Sequence, residues 1–76
     1  MDVLEFTYLL EKEFDELEEG TLIPSMNYKD IPNFSSMHAL ILIAFVDSTF
    51  DVILTGEDLK SVATIEELYN LILTKK

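Results

Sequence analysis

The sequence predicts an all-α domain, a four-helix bundle of three longer helices and one short helix, with a long loop between the first two helices. Three observations carry this. Apolar residues recur in steps of three and four between Val3 and Leu17. The stretch from Ser36 to Phe50 runs without glycine or proline. Thr64-Ile65-Glu66-Glu67 has the form of a helix-opening capping box.

Val3, Phe6, Leu10, Phe14 and Leu17 form one stripe of an amphipathic first helix, which Gly20 breaks. The segment from Thr21 to Phe34 holds Pro24 and Pro32 beside Ser25, Asn27 and Asn33, and reads as a long ordered loop. A loop of this length in a small domain is functional or is packed by its own side chains. Leu22, Ile23, Met26, Tyr28 and Ile31 are available for that packing.

Ser36 to Phe50 is too long for an ordinary strand and reads as the second helix, with Ser35 as its N-cap. Ala39, Leu42, Ile43, Val46 and Phe50 make one stripe, and Met37, Leu40, Ile41 and Ala44 lie largely off it. A helix this apolar must be covered on most sides, by its own core or by a partner. Asp51 to Leu54 reads as an extended connector. Thr55-Gly56-Glu57-Asp58 then supplies the cap and first turn of a brief helix ending near Lys60. The last helix opens at the Thr64 box and buries Ile65, Leu68, Tyr69 and Ile72, with Lys75 and Lys76 at the negative end of its dipole.

Residues 1 to 76 read as a single domain, and a chain of this size buries only about 60% of the surface it exposes when unfolded. Packing alone must hold it, because the absence of cysteine excludes disulfides and thiolate metal sites. There is no basic start followed by an apolar signal core. The longest apolar run, Ala39 to Val46, is eight residues, against the ~20 that span a bilayer. A soluble monomer in a reducing compartment such as the cytoplasm is expected, without membrane association. Fifteen acids against five lysines give a net charge of -10, which repels nucleic acid and steers the domain toward basic proteins. Asp2, Glu5, Glu11, Glu13, Asp15, Glu16, Glu18 and Glu19 crowd the first twenty residues and read as a solvated face.

The inventory points away from an enzyme. With one histidine, no cysteine and no arginine, neither a Cys/His pair nor an ordinary Ser/His/Asp set has spare parts, and a metal cluster would need carboxylates alone. Gly20 and Gly56 are the only glycines, so no glycine-rich phosphate loop exists, and the acids lack calcium-loop spacing. His38 reads as an ordinary surface residue.

Phe34-Ser35-Ser36-Met37 resembles the motif of the acyl carrier protein family, in which an aromatic or small residue and an aspartate precede a modified serine and a Leu or Met at the start of the second helix. Phe50-Asp51-Val52-Ile53-Leu54, fourteen residues past Ser36, is similar to the family's Phe-Gly-Val-x-Ile or Leu. Glu57-Asp58-Leu59 and Thr64-Ile65-Glu66-Glu67-Leu68 look like the starts of its third and fourth helices, and Tyr28-Lys29-Asp30-Ile31 like the loop before the motif. The resemblance covers Val3 to Ile72. Ser35 stands where most of the family has the acid; it serves equally as N-cap but alters what a modifying transferase would read.

The resemblance implies an acyl-carrier-protein-like bundle with 4'-phosphopantetheine attached to Ser36. Coenzyme A would donate the arm, through a phosphopantetheinyl transferase that supplies the activating groups and metal. The arm would hold acyl or aminoacyl thioesters for enzymes of fatty acid, polyketide, lipopolysaccharide or peptide synthesis. Independently of the family, a phosphodiester at a helix start is stabilised by about 0.3 to 1 kcal/mol. The expected docking surface for loading and condensing enzymes is Met37, Leu40, Ile41 and Ala44, with Asp47, Glu57 and Asp58 as charged neighbours. Burying a few such side chains outweighs a screened ion pair worth about 0 to 1 kcal/mol. The competing reading is an acidic helical interaction module without a prosthetic group.

Overall fold

A computed structural model describes all residues from Met1 to Lys76. The chain is all-helical: α1 spans Val3–Glu13, α2 Ser36–Phe50, α3 Gly56–Lys60 and α4 Ile65–Lys75, with a 3-10 turn, η1, at Tyr28–Asp30. No helix is long and apolar enough to cross a membrane.

The first helix is shorter than its apolar pattern predicts. It ends at Glu13, with Phe14 extended as C-cap, whereas the stripe continued to Leu17. The reason is charge. Asp15, Glu16, Glu18 and Glu19 would crowd the negative end of the helix dipole and one another. The chain instead turns, and Leu17 packs half-buried against the core from outside the helix. Glu11 departs from the solvated face assigned to it. It is only 5% exposed, and its carboxylate accepts hydrogen bonds from the backbone N–H groups of Gly20 and Leu22 at 2.9 and 2.8 Å.

The core gathers Phe6 and Leu10 from α1 with its C-cap Phe14, Leu42, Phe45, Val46 and Phe50 from α2, and Ile65, Leu68, Tyr69 and Ile72 from α4. The Phe6 ring lies 5.9, 5.7 and 5.2 Å from those of Phe45, Phe50 and Tyr69, so one aromatic cluster joins the three longer helices. Phe45, absent from the expected stripe, is buried, while Ala39 and Ile43 are only half-buried.

The long loop is ordered by its own side chains. Leu22, Tyr28 and Ile31 enter the core, Met26 packs on its edge, and Ile23 remains exposed. Its backbone also closes the start of α4: the carbonyls of Pro24 and Met26 accept from the N–H groups of Glu66 and Ile65 at 2.9 and 3.1 Å. These are two of the donors a helix leaves unpaired at its head. The capping boxes complete the short end of the bundle. Thr64 and Glu67 cap α4 reciprocally, and Thr55 and Asp58 do the same for α3.

Candidate functional site

The head of α2 is set by the turn before it. Asn33 takes a left-handed conformation (φ 62°), which asparagine tolerates better than most residues. Phe34 then packs edge-on to Tyr28, with centroids 5.6 Å apart. Tyr28 is buried, donates its hydroxyl to the Leu59 carbonyl of α3, and has its pKa pushed up by that burial. Tyr28 thus ties η1 to α3, leaving an open cleft of about 500 Å³ between them and the start of α2.

Ser36 is the first residue of α2, is exposed, and its hydroxyl makes no hydrogen bond to the protein. It lines the cleft with Ser35, Phe34, Ala39 and Leu59, and with Lys29 and Lys60, two of the five lysines of the chain. No carboxylate lines it. The first turn of α2 carries no acid either. In a protein of net charge -10, the cleft lining itself carries two cations and no acid, with the positive end of the α2 dipole beside it.

Ser35 is the N-cap residue of α2, but its hydroxyl caps no backbone N–H. It lies 2.9 Å from Nδ1 of His38, whose Nε2 is 2.6 Å from Oε1 of Glu16. His38 is therefore not the ordinary surface residue its sequence position suggests. Its side chain is 14% exposed and packs between the rings of Phe14 and Phe34, at 5.1 and 6.1 Å. The hydrogen bond from His38, and then a backbone one, hold the Glu16 carboxyl below its ordinary pKa. The i to i+3 spacing of Ser35 and His38 was a signal in the sequence; the partner Glu16, twenty-two residues away, had none.

Met37 and Leu40 stand 68% and 66% exposed on α2, with Ala44 and Asp47 exposed further along. Ile41 is half-buried and packs against the core. Glu57 is exposed. Asp58 is half-buried and already engaged, by the Thr55 N–H at 2.9 Å and by Lys75 at 3.1 Å. Lys29 and Lys60 as cleft residues escaped sequence reasoning, since the loop and α3 meet only in the folded chain.

Fold and site together define a small all-helical domain that presents a free serine hydroxyl at the head of its second helix. Neither a protein-family model, nor a curated protein, nor a solved structure matches the chain.

Proposed function

We propose that this protein is an acyl carrier protein that bears 4'-phosphopantetheine on Ser36. The observation that carries the reading is the Ser36 hydroxyl: exposed and unbonded at the first position of a fifteen-residue helix, beside a carboxylate-free cleft with Lys29 and Lys60 on its walls. The helix order, the long connection between α1 and α2 and the motif spacing from Phe34 to Leu68 support it further.

The residues suit the group. The backbone N–H groups in the first turn of α2 favour a phosphodiester on Ser36, the two lysines balance its charge, and Tyr28, Phe34 and Leu59 give the cleft an apolar floor. When bound, the arm supplies a mobile thiol that holds an acyl group as a thioester and raises its effective concentration at successive enzymes. The chain itself holds the attachment oxygen in the open and offers Met37, Leu40 and Ala44 as apolar docking surface beside it. Activation of the hydroxyl falls to the transferase, because no base of this chain bonds to Ser36.

Incubation with coenzyme A and a broad-specificity phosphopantetheinyl transferase tests the assignment. Intact mass should rise by one arm, Ser36→Ala should abolish the gain, and Ser35→Ala should retain it. A chain that never gains mass, while still binding a basic protein through α2, is the interaction module instead.

A further inference from the structure

Ser35, His38 and Glu16 form a connected set that the carrier role does not use. In each of the other three α-helices the N-cap side chain, Asp2, Thr55 or Thr64, accepts from a backbone N–H. Ser35 instead turns its hydroxyl to Nδ1 of His38. With Glu16 an ionised acceptor 2.6 Å from Nε2, that nitrogen carries the proton. In the neutral imidazole, Nδ1 then keeps its lone pair and accepts from the Ser35 O–H across the 2.9 Å contact. The imidazole packs against the rings of Phe14 and Phe34 and is held at its far nitrogen by the carboxylate. Nucleophile, base and orienting acid are thus linked in series.

We propose that Ser35 is an activated nucleophile that accepts an acyl group from activated esters and thioesters, with His38 as general base and Glu16 orienting it. Ser35 is an exposed residue that an acyl donor can approach. The N–H groups of Ser36, Met37 and His38 have no acceptor within the protein. They lie at the positive end of α2 in the turn that follows Ser35, free to donate to the oxygen of an attacked carbonyl. In the step, Oγ of Ser35 bonds to the acyl carbon and its proton passes to Nδ1 of His38. The bond from that carbon to the leaving oxygen or sulfur breaks, and the leaving group departs with the electron pair and takes the proton from His38. The product is an acyl ester on Ser35; no oxidant or metal is required.

The test uses the full chain without any prosthetic group and p-nitrophenyl acetate as the probe. One equivalent of p-nitrophenol should be released in a burst, and peptide mapping should place one acetyl group on Ser35. His38→Phe keeps an aromatic ring between Phe14 and Phe34 and should slow acetylation of Ser35 by about 10²- to 10⁴-fold, the range of general-base catalysis. Glu16→Gln should slow it by about tenfold through a loosened imidazole. Acetyl groups found only on lysines, the amino terminus or Ser36 would overturn the proposal. So would a Ser35 rate unchanged in Glu16→Gln, which decides the matter if His38→Phe fails to fold by circular dichroism. A wild-type chain that stays unacetylated while His38→Phe merely melts earlier would reduce the three residues to a clip between the α1–η1 connection and α2.

Discussion

The carboxylate of Glu11 reaches the backbone N–H of Leu22, 2.8 Å away, and thereby fastens the end of α1 to the start of the long loop. The same carboxylate takes the N–H of Gly20. Glu11→Ala leaves the buried N–H of Leu22 and the part-buried N–H of Gly20 without their acceptor, and a missing acceptor costs about 1 to 3 kcal/mol for a fully buried group and less for one that water reaches. A loss of about 2 to 4 kcal/mol is expected by chemical denaturation, with Glu11→Gln losing less because its amide oxygen still accepts. Equal stability of Glu11→Ala and wild type would mean that the loop closes without this contact.

Asp51 ends α2 in the left-handed conformation, with φ 58° and ψ 39°. That conformation is ordinary for glycine and costs a residue with a Cβ roughly 1 kcal/mol, somewhat less for aspartate. Asp51→Gly should therefore stabilise the protein by about 0.5 kcal/mol and Asp51→Val should destabilise it by more than 1 kcal/mol. Thermal melting of the two variants, shifted in opposite directions, checks the assignment.

Acid should weaken the end of the bundle where α3 and α4 begin. The Thr55 N–H, followed by Lys75, holds the Asp58 carboxyl below its ordinary pKa, and the N–H groups of Thr64 and Ala63 do the same for Glu67. Each carboxyl is more acidic folded than unfolded. Its contribution is complete above the unfolded value near about 4 and disappears as pH falls through the folded one. Falling self-repulsion in so acidic a chain works the other way, so the comparison with a variant isolates the effect. Glu67→Gln should be less stable than wild type at neutral pH, and the gap should narrow below about pH 4. A gap constant with pH would contradict the account.

Leu40 is two-thirds exposed, so Leu40→Asp should change stability by no more than about 0.5 kcal/mol. If α2 docks enzymes mainly by burial, the same variant should weaken binding of the phosphopantetheinyl transferase at least tenfold, while moderate salt alone weakens it little. A steep salt dependence combined with an indifferent Leu40→Asp would move recognition onto the acids. Ile41 is a poorer probe, because it packs against the core and a charge there would disturb the fold as well.

What could be read from residue order was whatever neighbours in the chain arrange among themselves. The span of α2, the Thr55 cap of α3, the capping box of α4 and the buried set Ile65, Leu68, Tyr69 and Ile72 follow from side chains three and four positions apart. An N-cap or an apolar stripe acts over one or two turns, so its pattern survives in a linear string. Ser36 at the head of α2 belongs to that class. The inward turn of Glu11, the Glu16 contact of His38 and the meeting of Lys29 with Lys60 at one cleft do not. Each pairs groups separated by a loop whose path depends on how Leu22, Tyr28 and Ile31 settle among the helices. Distant polar groups find one another only after that burial has fixed the backbone, and short-range sequence spacing carries no trace of such meetings.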